Sequence, residues 1–141
     1  REAIFEKIIE AAVSVGIGWA SETEIDNINI LQATFLAMTR AVKDINLTVD
    51  YALVDGNKLP ALGIPAKAIV KGDGKVASIA AASIIAKVSR DRLLRKIDAQ
   101  YPQYGFGRHK GYGTKAHYAA IKQYGILPIH RKSFLKNIDE K

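Results

Sequence analysis

The 141 residues include no cysteine. That excludes disulfides, thiolate zinc sites, iron–sulfur clusters and a cysteine nucleophile, and it fits a reducing compartment such as the cytoplasm. No uninterrupted apolar run approaches the roughly 18 residues a membrane span needs, so no membrane partner is expected. Internal repeats, low-complexity tracts and linker-like stretches are also missing, which points to one domain over residues 1–141. No signal peptide is visible, yet the chain opens on Arg1 rather than Met, so a processed or truncated chain is expected. What is present is an ordinary globular mixture, 48% hydrophobic and 25% charged. A chain this long buries about two-thirds of its unfolded surface and needs no staples.

The charge is uneven. Residues 1–70 hold 6 Lys+Arg against 9 Asp+Glu, a net of −3, whereas residues 71–141 hold 15 against 5, a net of +10. Five of the six tyrosines and all three histidines share the basic half. Basic residues interleaved with aromatics are the footprint of a phosphate-backbone binder. A solvated face on a basic protein is the competing explanation.

Hydrophobic spacing predicts a helix over residues 2–15, with Ile4, Phe5, Ile8, Ile9, Ala12 and Val13 on one face. Ile17–Ala20 reads as a short strand, with Trp19 in the core. Ser21-Glu22-Thr23-Glu24 has the form of a capping box. The helix it opens runs to about Asp44, re-capped at Asn29, with Ile30, Leu31, Phe35, Met38 and Val42 inward. Tyr51–Val54 and Ala66–Val70 read as strands, and Val76 to about Ala99 as a long Ala-rich helix. Residues 101–113 read as a loop, and Thr114 caps a helix that Gly125 stops. Strands alternating with helices indicate an α/β layered fold. Three strand candidates are few for a free-standing sheet.

Asp55 and Asp73 stand in parallel settings, each after an apolar strand and beside a glycine. Strand ends in open α/β sheets are where sites form. Neighbouring strands would bring both carboxylates to one edge, and like charges there call for a cation between them. A hard divalent ion, Mg²⁺ or Mn²⁺, suits oxygen ligands. The competing explanation is that Asp-Gly marks an ordinary turn. Two carboxylates are thin coordination for a catalytic metal, so further ligands are expected elsewhere. The segment from Tyr104 to Thr114 packs four glycines, aromatics and cations into eleven residues. Glycines allow close backbone approach, cations meet phosphates, and a tyrosine can stack on a sugar or base. A glycine-rich surface loop with incidental charge remains the alternative. His109, His117 and His130 are spaced by 8 and 13, which is no recognised ligand pattern, and they read as loop or helix-packing residues.

Several motifs, in order and with spacing intact, resemble bacterial ribonuclease HII, the type 2 ribonuclease H. They are Glu24-Ile25-Asp26 with Asn29 to Thr34, Val54-Asp55-Gly56-Asn57, Val70-Lys71-Gly72-Asp73, the stretch from Ser78 to Asp91, Pro102 to Phe106, His109-Lys110-Gly111-Tyr112 with Thr114 and His117, and His130 to Phe134. The resemblance implies a ribonuclease H-like α/β fold, a mixed sheet flanked by helices, with a helical C-terminal part. It implies an endonuclease that cuts the RNA strand of RNA–DNA hybrids and nicks duplex DNA 5′ of a single embedded ribonucleotide. Products carry 5′-phosphate and 3′-hydroxyl ends. Two divalent ions, Mn²⁺ or Mg²⁺, are held by four acidic residues, of which the third and fourth match Asp55 and Asp73. Tyr112 matches the tyrosine that recognises the 2′-hydroxyl. Lys110 lies in the same motif, and Arg131, Lys132 and Ser133 match a segment that contacts the nucleic-acid backbone. Asp91 belongs to the helix and reads as structural.

The family's first strand, Asp-Glu-Ala-Gly-Arg-Gly, and its Asp-Ser-Lys segment have no counterpart here. The chain therefore resembles the C-terminal portion of the domain, with the first strands missing and an apolar sheet edge left unpaired. A complete form would be a monomer. With two of the four carboxylates missing, tight metal binding and full activity are not expected of this chain alone. The alternative function is a non-catalytic module that holds nucleic acid through its basic half.

Overall fold

The computed structural model describes residues 1–135, so the last six residues of the expected domain lie outside the described ones. The chain divides into two compact units, Arg1–Val88 and Ser89–Lys141.

In the first unit, α1 (Glu2–Ala11) buries Phe5 against Ile85 and Val88 of α3 (Ala77–Gln100), with Ile8, Val15, Ile17 and Ile84 packed alongside. α1 stops at Ala11, short of the expected residue 15, because Ala12 turns to an extended conformation. Val13 therefore lies beyond the helix and is exposed, not inward.

Residues 12–21 form no strand. Side chains of α2 (Glu22–Asp44), not a neighbouring strand, bond this backbone at several points. The Ile17 amide donates to Asp44 Oδ2 at 2.9 Å, and Arg40 Nη1 donates to the Trp19 carbonyl at 2.7 Å. Two glycines make that approach possible, since a Cβ at Gly16 or Gly18 would overlap the Ala41 or Ala37 carbonyl oxygen. Trp19 is 45% exposed and is not core.

α2 opens on the capping box, with Ser21 Oγ accepting from the Glu24 amide and Glu24 Oε1 from the Ser21 amide. The Arg40 guanidinium grips both Glu24 oxygens, at 2.7 and 2.6 Å. Asn29 breaks the helix at φ 72°, and its Oδ1 re-caps the second segment by accepting from the Gln32 amide at 3.0 Å. That break resets the helical phase. Ala33 becomes the buried residue, while Ile30 and Leu31 face solvent rather than the core.

β1 (Ala52–Asp55) pairs in parallel with β2 (Ala66–Ile69), with Val54 opposite Ala68 and Asp55 opposite Ile69. Among the described residues the sheet has these two strands alone, so each has one unpaired edge.

The second unit is built on aromatics. Leu94, Tyr104, Phe106, Ala120 and Ile121 form its core. Residues 101–113 are not a simple loop. A 3-10 turn over Pro102–Tyr104 and the one-turn helix α4 (Phe106–His109) meet at Gly105, in the left-handed region at φ 73°. That conformation favours glycine. It turns Tyr104 and Phe106 inward, where their rings stack 5.7 Å apart. α5 (Lys115–Tyr124) is capped by Thr114, whose hydroxyl accepts from the His117 amide, and it ends at Gly125.

Candidate functional site

The parallel register brings the first pair of candidate residues together. Asp55 closes β1, and the chain leaving β2 turns through Lys71, at φ 54°, into a 3-10 turn over Gly72–Gly74 that carries Asp73. The Gly72 amide donates to Asp55 Oδ1 at 2.8 Å, so the Asp55 carboxylate is bonded to the residue next to Asp73. Gly72 is buried, and a Cβ there would stand 2.7 Å from the Ile79 side chain and 3.4 Å from Asp55 Oδ1. A left-handed non-glycine residue costs about 1 kcal/mol or more and concentrates at functional turns. Both aspartates are exposed. Each presents hard oxygen donors of the type Mg²⁺ and Mn²⁺ take. Among the described residues no group of three or more His, Asp or Glu side chains is arranged to hold a metal. Asp55 and Asp73 thus fit as part of a ligand set, not as a whole one.

An open groove of the first unit is lined by Ile28, Phe35, Leu36, Leu59 and Pro60 among others, and neither aspartate lines it.

The second unit holds the remaining candidates. Tyr112 is 68% exposed, yet its backbone is held on both sides. Its amide donates to the His109 carbonyl at 2.9 Å, and its carbonyl accepts from the Thr114 amide at 2.9 Å. Lys110 and Gly111 before it are both left-handed, at φ 56° and 83°. Arg90 Nη2 donates to the Lys110 carbonyl at 3.2 Å, and Asp91 Oδ1 lies 4.0 Å from Lys110 Nζ. Asp91 is a helical residue of α3 that faces the Lys110 ammonium. Arg131 stacks over the Phe134 ring at 4.1 Å, a cation–π contact, and Lys132 and Ser133 follow in a short 3-10 turn.

The three histidines converge. His109 and His117 stack with ring centroids 4.0 Å apart, and His117 Nε2 lies 3.0 Å from His130 Nε2. All three are buried. Spacings of 8 and 13 carry no such signal, because α4, α5 and the turn after α5 supply one ring each. Burial, above all, pushes the His117 imidazole below its ordinary basicity and His130 down to about 4. The neighbouring rings act in the same direction. The Gly72 amide and this cluster are the two features that sequence reasoning missed. A Thr114 cap three residues before His117 was the one local hint, since it fixes His117 in the first turn of α5.

Comparison with known proteins places these features in context. The family model described as Ribonuclease HII matches residues 1–137. Ribonuclease HII of Shewanella amazonensis is 55% identical over 134 residues, which cover 95% of this chain and 65% of that protein. Ribonuclease HII of Clostridioides difficile is 55% identical over 138 residues, covering 98% of this chain and 54% of that protein. The crystal structure of ribonuclease H2 from Pyrococcus horikoshii superposes with a TM-score of 0.74 at 26% identity, covering 99% of this chain and 74% of that one. The chain thus spans between about half and two-thirds of the length of these two bacterial relatives. The helix-rich arrangement with its small parallel sheet is a ribonuclease H-like α/β fold. Among the described residues no helix is long and apolar enough to cross a membrane.

Proposed function

This chain belongs to the ribonuclease HII family, and from that membership we propose that it serves an endonuclease that hydrolyses the RNA strand of RNA–DNA hybrids and nicks duplex DNA 5′ of a single ribonucleotide. The observation that carries the reading is the bond from the Gly72 amide to Asp55, which holds one carboxylate beside the turn that bears the other. In the proposed reaction a water oxygen adds to phosphorus as the P–O3′ bond breaks. The 3′ oxygen leaves as a hydroxyl and the phosphate stays on the 5′ end of the downstream product.

Asp55 and Asp73 would hold divalent Mn²⁺ or Mg²⁺. Such ions, when bound, lower the pKa of the attacking water and offset charge on the leaving oxygen. Further carboxylates complete the set. The Gly72 amide orients Asp55 by taking one lone pair of Oδ1. Tyr112 meets the sugar of the ribonucleotide, whose 2′-hydroxyl distinguishes it from deoxyribose. Lys110, Arg131, Lys132 and Ser133 contact the phosphate backbone, and the basic excess of residues 71–141 supplies sequence-independent affinity. Residues 1–141 work as part of a single catalytic domain, monomeric in its complete form.

The second reading is a nucleic-acid-binding module without catalysis. It is favoured by the lack of a three-residue metal cluster among the described residues. One assay separates the two. The protein, joined to the family's N-terminal Asp-Glu-Ala-Gly-Arg-Gly strand so that the carboxylate set is whole, is incubated with duplex DNA carrying one ribonucleotide and Mn²⁺ or Mg²⁺, beside an Asp73→Asn control in the same joined form. The expected result is a nick on the 5′ side of the ribonucleotide, reduced about 10²-fold or more by the substitution. Salt-dependent duplex binding with no nick at any ion concentration would establish the second reading instead.

A further inference from the structure

Each ring nitrogen in the histidine cluster faces a polar partner, and those partners decide where the protons sit. A backbone amide can only donate and a carbonyl can only accept. His109 Nδ1 faces the Gly111 amide at 3.0 Å and is therefore bare, while its Nε2 faces the Tyr104 carbonyl at 2.7 Å and carries hydrogen. His130 Nδ1 faces the Leu127 amide at 2.8 Å, so it too is bare and the His130 proton sits on Nε2. His117 Nδ1 faces the Tyr112 carbonyl at 2.9 Å and carries hydrogen, which leaves its Nε2 to accept from His130 Nε2. All six nitrogens are used and all three rings are neutral. A fourth proton anywhere would set two donors against each other.

The ends of this chain of bonds lie at functional segments. One end holds the backbone of Gly111 and Tyr112. The other is the residue that precedes Arg131-Lys132-Ser133. Three leucines would fill the same space without desolvating three imidazoles, so packing alone does not account for the choice of side chain. A metal site does not account for it either, because every ring nitrogen already has a partner.

We propose that His109, His117 and His130 are positioning residues, a neutral three-ring chain that holds the Tyr112 turn and the Arg131–Ser133 segment in one fixed geometry for the sugar–phosphate backbone of the substrate. The inference rests on the substrate role given to Tyr112 above. The neighbouring rings and the Arg131 guanidinium oppose extra charge, while the Asp91 carboxylate at the Lys110 turn is a nearby anion. His117 feels His109 and the Arg131 guanidinium, and His130 feels His117 and His109. The phenols Tyr104 and Tyr118 flank the rings at 5.6 and 6.4 Å. Arg108 follows Gly105 in α4. Arg90 and the Lys110–Asp91 pair sit at the turn that the chain holds. Acid that protonates His130 or His117 therefore loosens the chain by breaking the bond to Leu127 or the one between His117 and His130.

The first test reads the protons directly, by nitrogen NMR of the imidazoles in this protein without substrate. The expected result is hydrogen on Nδ1 of His117 and on Nε2 of His109 and His130 at neutral pH, with His117 and His130 still neutral below the ordinary histidine range. Hydrogen on Nε2 of His117, or titration of His117 and His130 near the ordinary histidine value, would overturn the proposal.

The second test measures competition between a duplex carrying one ribonucleotide and the same all-deoxy duplex. His117→Phe, which keeps a ring but no donor, should lose about tenfold in discrimination, the scale of one hydrogen bond. His117→Asn, whose amide reproduces the Nδ1 donor, should recover most of it. A folded His117→Phe protein with full discrimination, beside a Tyr112→Ala protein that has lost it, would overturn the positioning role. Unchanged discrimination in Tyr112→Ala would instead overturn the substrate reading, while the tautomer result stands or falls by itself. Should His117→Phe fail to fold, His109→Gln keeps the donor to Tyr104 and removes the acceptor for Gly111, and it carries the same expected tenfold loss.

Discussion

The edge that carries Asp55 and Asp73 and the turn that carries Tyr112 are organised in opposite ways. The carboxylates sit on an exposed rim at the ends of two short strands, and the bond from the Gly72 amide ties Asp55 to the turn that bears Asp73. The Tyr112 phenol is equally open to solvent, but its backbone rests on a buried aromatic and histidine layer bonded at every polar atom. A metal ion can itself organise carboxylates that are loosely placed beforehand. Under the proposed roles, a tyrosine that tells one sugar from another has no such organiser and needs its backbone fixed in advance. On that proposal, preorganisation is concentrated where the ligand brings none.

That contrast can be broken most severely from the aromatic side. Phe106→Ala removes a ring that contacts Tyr104, His109, His117 and His130. It should cost about 3–5 kcal/mol in urea unfolding and should abolish the protection of the Gly111 amide. Asp55→Asn should do the reverse. Cleavage should fall about 10²-fold or more, while stability stays within about 0.5 kcal/mol, because Asp55 is exposed and an amide oxygen still accepts from Gly72. A large loss of stability in Asp55→Asn would erase the distinction between the two sites.

Acid sharpens the comparison. His130, and His117 in the same direction, bind fewer protons folded than unfolded. Their contribution is intact above about pH 6.5 and declines as pH falls toward about 4. In the first unit the Arg40 guanidinium holds the Glu24 carboxyl well below the usual carboxylate range, so that contribution is lost only below the ordinary glutamate value. Near pH 5 the amide signals of residues 104–130 should broaden or shift before those of residues 21–44. Simultaneous change in both would contradict the assignment of the acid-sensitive element. The smallest effect belongs to the cap. Ser21→Ala removes the acceptor for the Glu24 amide and should cost about 1 kcal/mol by thermal unfolding.

Much of the local structure was legible. Ser21 and Glu24 announced a helix start, Asn29 its interruption, and Thr114 and Gly125 the limits of α5, because caps act within four residues of one another. The strands around Asp55 were legible from compact apolar runs ending in glycine turns. Trp19 was not, because its exposure follows from how residues 12–21 lie on α2, and that depends on Arg40 and Asp44 far along the chain. Ile30 and Leu31 were misplaced because the break at Asn29 turned the helix face that a continuous period would have buried.

Sequence by itself determined the membership, the long helices with their caps, the two paired strands and the place of two aspartates at their ends, since each depends on neighbours within a few residues or on motif spacing. Only the tertiary structure decided that the Gly72 amide bonds Asp55 across 17 positions, and that three histidines spread over 22 residues share one proton-ordered circuit. Those contacts join residues distant in the chain, and hydrogen-bond direction is a property of where partners meet, not of which residues are present.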